Sequence, residues 1–203
     1  FWTTRGFAIV DVDHRGSTGY GREFRNLLDG NWGVVDVEDC IAAATYLADQ
    51  GRVDGDRMVI RGGSAGGFTV LASLTAGDVF AAGACSYGIA DLSVLAEDTH
   101  KFESRYTDRL IGPWPDARAV YEQRSPIHHL DRFDTPLIVF QGLDDKVVPP
   151  SQSEMIVTAL RERGVECEYH AYAGEGHGFR RAETIVHQTN AELAFYRRIL
   201  ELA

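Results

Sequence analysis

Met58-Val-Ile-Arg61, Gly62-Gly-Ser64-Ala65-Gly66-Gly67 and Phe68-Thr-Val-Leu-Ala-Ser-Leu-Thr75 form one continuous stretch with three distinct characters. The first is a short apolar run with β-branched residues, too short for a helix and suited to a buried strand. The last is apolar on nearly every face, as in a helix enclosed by protein. Between them lies a G-x-S-x-G sequence, and a strand-to-helix turn is the setting in which that sequence carries chemistry. So tight a turn is expected to hold Ser64 in a strained backbone conformation, with glycine at both ends removing collisions. Ser64 Oγ is then presented above the sheet. The helix that follows aims unpaired amides and a positive dipole end at the same point, which makes the Ala65 N–H a candidate oxyanion donor. A phosphate-binding loop is disfavoured, because the stretch matches neither G-x-G-x-x-G nor a loop ending in G-K-S/T.

Working outward, strands and helices alternate. Phe7-Ala-Ile-Val-Asp-Val-Asp13 reads as a buried first strand, followed by the polar, glycine-rich turn His14 to Gly21. A helix is expected from about Asp36 to Gln50, where Val37, Cys40, Ile41, Ala44 and Ala48 make an apolar stripe and Gly51 supplies the stop. Ala81 to Tyr87 and Leu137 to Phe140 are candidate interior strands, while residues 91 to 134 show aromatics and prolines without a clean period. Pro149-Pro150 leads into Ser151-x-x-Glu154, a capping-box pattern, and that helix ends at Gly164. Val165 to Tyr172 alternates as a strand does, and Thr184 to Leu202 closes the chain as an amphipathic helix. About five strands separated by helical segments imply parallel pairing with right-handed crossovers, hence a doubly wound α/β sheet in one domain spanning residues 1–203.

Ligands of such sheets bind beyond the carboxyl ends of the strands. A serine there needs a base, and the base needs a carboxylate to orient it. Two later strands end in suitable loops: Gln141-Gly-Leu-Asp144-Asp145-Lys-Val-Val-Pro149 and Ala173-Gly-Glu-Gly-His177-Gly-Phe179. Ser64, one of Asp144 and Asp145, and His177 then follow the chain order of an α/β-hydrolase. His14, His100, His128, His129 and His187 fall in the wrong order or in helical or lid-like settings, and His170 lies inside a strand. A metal site at His128-His129 near Asp131 and Asp134 has no HExxH or spaced Cys/His set behind it, so no metal and no cofactor are expected.

Composition narrows the classes further. With 44% hydrophobic and 25% charged residues the chain has ordinary globular make-up, and thirty acidic against twenty basic side chains disfavour a polyanionic partner such as nucleic acid. No run approaches the roughly 18 apolar residues of a membrane span, and no signal-peptide pattern opens the sequence. Cys40, Cys85 and Cys167, on one expected helix and two expected interior strands, lie far apart without CxxC spacing and are read as reduced core thiols of a cytoplasmic protein. Because the sequence opens on Phe1 and its methionines are Met58 and Met155, it is expected to be a piece of a longer protein.

Arg15-Gly-Ser-Thr-Gly-Tyr-Gly21, Arg61-Gly-Gly-Ser-Ala-Gly-Gly67, Gln141-Gly-Leu-Asp-Asp-Lys-Val-Val-Pro-Pro-Ser-Gln152 and Tyr172-Ala-Gly-Glu-Gly-His-Gly-Phe179, in this order, resemble the catalytic domain of the prolyl oligopeptidase family of serine peptidases. The nearest branch looks like the acylaminoacyl peptidases and dipeptidyl aminopeptidase-like enzymes, and the resemblance runs over the whole chain. It implies an α/β-hydrolase fold, Ser64 as nucleophile, His177 as general base and acid, and Asp145, three residues after Gly142, as the orienting carboxylate. It also implies short peptide or acylated amino-acid substrates cleaved near the amino terminus. A carboxylic ester hydrolase with the same three residues, and a non-catalytic binding protein of the same fold, are the competing expectations. The family's second oxyanion donor sits on a strand expected before Phe1, and an N-terminal β-propeller that screens substrates is expected before that. Tyr87, Phe102, Tyr106 and Trp114 are the candidate walls of the acyl pocket, and association into a homo-oligomer is compatible with the resemblance.

Overall fold

A computed structural model describes residues 1–98 and 105–202. Its centre is a four-stranded, wholly parallel sheet in the order β1 (Val59–Gly63), β2 (Ala82–Ser86), β3 (Leu137–Gly142) and β4 (Cys167–Tyr172). The helices of the described residues are α1 (Gly21–Asn26) and α2 (Val35–Asp49) before the sheet, α3 (Ala65–Ala76), α4 (Leu92–Asp98), α5 (Tyr106–Leu110), α6 (Arg118–Arg124) and α7 (Pro150–Glu162) between its strands, and α8 (Ala182–Ile199) after it. This is the doubly wound α/β architecture of the α/β-hydrolases.

Side-chain alternation along the two central strands divides the core. Cys85, Leu137 and Val139 point to one face and pack with Val70, Leu71 and Leu74 of α3 and Ile156, Val157 and Leu160 of α7. Ala82, Ala84, Ile138 and Phe140 point to the other, against Phe195 and Tyr196 of α8 and the adjoining Leu200. Both β2 and β3 are buried throughout, which explains why they read as continuous apolar runs rather than alternating ones. A third cluster joins Trp32, Val37, Phe68 and Ala72 to Leu110, Ile111 and Tyr121, tying α2 and α3 to the segment after β2.

Three expectations need correcting. Phe7 to Asp13 is not a strand, so the sheet has four strands rather than five. Trp2 and Phe7 anchor that segment on Tyr196, but Ile9 is 59% and Val10 48% exposed. A channel of about 710 Å³ separates residues 7–12 from β1. A strand exists through pairing, and among the described residues no strand pairs with this segment. Ser151 is not a helix cap, since α7 begins one residue earlier with Pro150 at its first position and no side chain caps it. Proline at that position needs no amide partner, so it sets the helix start before serine can. Cys167 lies on edge strand β4 and is partly exposed, not on an interior strand. The described part of residues 91 to 134, which showed no period, contains three α-helices of five to seven residues and the 3-10 segment Pro126–Arg132, all too short to display one.

Candidate active site

The turn after β1 holds Ser64 at φ 56°, ψ −122°, a conformation that L residues rarely adopt. Its amide continues the ladder to the Ser86 carbonyl at 3.0 Å, and its own carbonyl accepts from the Phe68 amide at 3.0 Å. The strain is therefore held between a strand end and the first turn of α3. A Cβ on Gly62 would lie 2.4 Å from the Gly66 carbonyl oxygen, so that position must be glycine. The expected collision at Gly66 is not there: a Cβ on Gly66 would meet nothing within 4 Å, because this residue borders the open channel beside β1.

The loops after β3 and β4 bring Asp145 and His177 to Ser64. Ser64 Oγ and His177 Nε2 are 2.8 Å apart, and His177 Nδ1 and Asp145 Oδ2 are 2.8 Å apart. A carboxylate can only accept, so Nδ1 carries the proton and Nε2 is left to accept from the serine hydroxyl. The Asp145 side chain is wholly buried, and its other oxygen accepts from the Val147 and Val148 amides, each at 2.9 Å. Neighbouring Asp144 instead donates its amide to the Glu175 carbonyl at 2.9 Å. Of the two aspartates left open by residue pattern, Asp145 is the one that meets His177. Ala65 opens α3, where first-turn amides lack intrahelical partners.

The four candidate pocket aromatics separate. Tyr87, at φ 40°, sets its ring edge-on to His177 at 4.9 Å between centroids and to Phe179 at 5.2 Å. Burial raises its hydroxyl pKa, and the Asp145 charge adds to that. Tyr106 meets Trp32 edge-on at 6.5 Å between centroids and is largely exposed. Trp114 packs edge-on against buried Tyr121 at 5.1 Å, within the third core cluster. Phe102 lies outside the described residues.

Several supporting side chains were missed from sequence. Gln141, fully buried, donates to the Val148 carbonyl and accepts from Ser153 Oγ at 2.7 Å, which braces the Asp145 loop. Gln152 accepts from the Ala90 and Asp91 amides, both at 2.8 Å, and so fixes the loop after β2. Glu175 accepts from the Arg180 and Arg181 amides within the His177 loop. For Gln141 and Glu175 the available signal was a polar residue set at or just beyond an otherwise apolar or glycine-rich strand end, whereas Gln152, in the first turn of α7, carried none.

The prolyl oligopeptidase family pattern matches residues 1–203. The chain belongs to that family. Among relatives of this prolyl oligopeptidase domain, the dipeptidyl aminopeptidase BIII of Pseudoxanthomonas mexicana is 33% identical over 88% of the chain and 27% of the relative. The acylamino-acid-releasing enzyme of Arabidopsis thaliana is 30% identical over 88% of the chain and 24% of the relative. A puromycin-hydrolyzing peptidase of Mycobacterium tuberculosis superposes with a TM-score of 0.98 at 51% identity, over 100% of this chain and 31% of that one. The chain thus spans about a quarter to a third of the length of these relatives.

Proposed function

We propose that the protein to which this domain belongs is a serine peptidase that hydrolyses peptide or acyl-amide bonds of short substrates near their amino termini. The reading is carried by the 2.8 Å contacts linking Ser64, His177 and Asp145 at the carboxyl ends of three strands. Ser64 Oγ attacks the acyl carbon as His177 Nε2 takes its proton, and the Ala65 amide donates to the developing oxyanion. His177 then returns the proton to the leaving amine, the C–N bond breaks, and an acyl-enzyme remains. Water attacks that ester by the same proton transfers in reverse order, releasing the acid and restoring Ser64. Asp145, held by two backbone amides, keeps the imidazole in the tautomer that accepts from serine.

A second oxyanion donor belongs, in this reading, to an extended segment filling the channel between β1 and residues 7–12, which would pair on both sides and end beside Ser64. The greater length of the relatives leaves room for a β-propeller gate in the whole protein. Cytoplasmic location is part of the proposal: the three cysteines are unpaired, and burial pushes the Cys85 thiol up to about 12 and Cys40 and Cys167 up to about 11. No helix among the described residues is long and apolar enough to cross a membrane.

The test is fluorophosphonate labelling and hydrolysis of an aminoacyl amide such as puromycin by the full-length protein. Ser64→Ala is expected to abolish labelling and to lower hydrolysis by roughly a thousandfold or more. Undiminished labelling of that variant rules out Ser64 as the nucleophile, and turnover of matched esters with no amide cleavage would favour an esterase.

A further inference from the structure

The His177 loop is Ala173-Gly-Glu175-Gly-His177-Gly178, in which every residue apart from Glu175 and His177 is alanine or glycine. Gly174 and Gly178 sit at φ 75° and 82°, and glycine loses the most conformational freedom on ordering. Such a segment has little side-chain packing with which to fix His177. Glu175 supplies the missing restraint. Only 2% exposed, it has no part in the proton transfers, yet its Oε2 accepts from the Arg180 amide and its Oε1 from the Arg181 amide, both at 3.0 Å. One carboxylate thus clasps the chain on both sides of His177 and anchors it at the start of α8. Through its backbone the same residue reaches the neighbouring loop, its carbonyl accepting from the Asp144 amide at 2.9 Å. The approach is close enough that a Cβ on Gly142 would lie 2.5 Å from that carbonyl oxygen.

We propose that Glu175 is the positioning residue of this site, fixing the His177 loop against the Asp145 loop so that the imidazole spans Ser64 and Asp145. The inference rests on the reading of those three residues as a catalytic triad. An ionised carboxylate suits the task because both of its partners are N–H donors. An amide at position 175 keeps one acceptor and turns an NH₂ group toward the other N–H. The loop would then move by a fraction of an ångström to an ångström, and misplacement of that size costs on the order of a hundredfold in rate.

The experiment measures kcat, KM and the rate of fluorophosphonate capture for full-length Glu175→Gln, with each rate divided by the concentration of titratable sites and assayed well below the melting temperature. The expected result is a drop in kcat and in capture rate of about 10- to 100-fold together, with KM within about twofold of the parent. Thr184→Val, which removes a hydroxyl that helps hold this carboxylate ionised, is expected to give a smaller drop with the same split, and it serves if Glu175→Gln does not fold. Rates per site within twofold of the parent in the folded variants, whatever their melting temperatures, overturn the proposal, as does a rise in KM at unchanged kcat. Ser64→Ala run in parallel keeps the two readings apart: its continued labelling sinks the triad, whereas its loss beside unimpaired Glu175 and Thr184 variants sinks the positioning role alone.

Discussion

At Gly62 a methyl group would stand 2.4 Å from a backbone oxygen of α3, an atom that cannot yield without moving Ser64. Gly62→Ala is therefore expected to destabilise the fold by about 1–3 kcal/mol and to slow fluorophosphonate capture per folded molecule, as measured by denaturant titration alongside labelling kinetics. Asp145→Asn tests a subtler point, because an amide can donate to His177 Nδ1 and leave Nε2 protonated. That wrong tautomer cannot take the serine proton, and kcat should fall on the order of 10⁴-fold with the fold intact by circular dichroism. Glu175 gives a pH signature in stability. Burial opposes its ionised form, but bonds from the Arg180 amide, the Thr184 hydroxyl and the Arg181 amide outweigh that and hold its pKa below the ordinary 4.5. A depressed folded-state pKa stabilises the fold above the unfolded value and loses that contribution as pH falls through the folded one. The melting-temperature deficit of Glu175→Gln should accordingly be larger at pH 7 than at pH 3, and an equal deficit at both would contradict this. Ser64 and His177 were legible because glycine-flanked loops at strand ends leave few side chains to choose from. The choice of Asp145 over Asp144 was not legible in the residues alone, since two adjacent acids differ only in which one the Val147 and Val148 amides turn inward.

Helix α3 begins directly after Ser64, the proposed nucleophile, so whatever seats α3 also seats Ser64. Part of that seat is polar: Thr69 Oγ1 donates to Asp36 Oδ2 at 2.7 Å, and Asp36 Oδ1 accepts from the Gly33 amide at 2.7 Å. Asp36 is almost fully buried at the start of α2, where a carboxylate also faces the positive end of the helix. Thr69→Val keeps the shape and removes the donor, leaving a buried carboxylate oxygen without its partner. A loss of about 1–3 kcal/mol is expected by urea titration, and a change within 0.5 kcal/mol, roughly the noise of a surface substitution, would show that water replaces the hydroxyl. Among the elements readable from sequence, α2 showed an apolar stripe over three or more turns, β2 and β3 were runs buried on both faces, and edge strand β4 showed alternation. Helices α4 to α6 are too short to show a period, and Phe7 to Asp13 has the residues of a strand without a partner to make it one.

Across the whole molecule, the two edges of the sheet differ. β4 places Glu168 beside Arg198, which also pairs with Glu166, so charges line that edge. β1 instead faces the channel of about 710 Å³, whose far side carries exposed Ile9 and Val10. An uncovered parallel edge opposite apolar side chains is a template for pairing with another chain. The formal charge of −10 opposes association only at long range, and salt screens it within roughly 10 Å. Contact between edges should therefore win at ordinary ionic strength. The 203-residue chain expressed alone is expected to bind a dye such as ANS, to self-associate in sedimentation velocity, and to label poorly with fluorophosphonate, whereas the full-length protein should exclude the dye and label readily. Ile9→Lys with Val10→Glu should relieve the self-association of the isolated chain, because it places charge on the channel wall. In the full-length protein the same pair should lower the melting temperature, because there the proposed extended segment covers these residues. A monomeric, fully active preparation of the unaltered 203 residues would refute this account of the channel, since it would show that nothing needs to fill it.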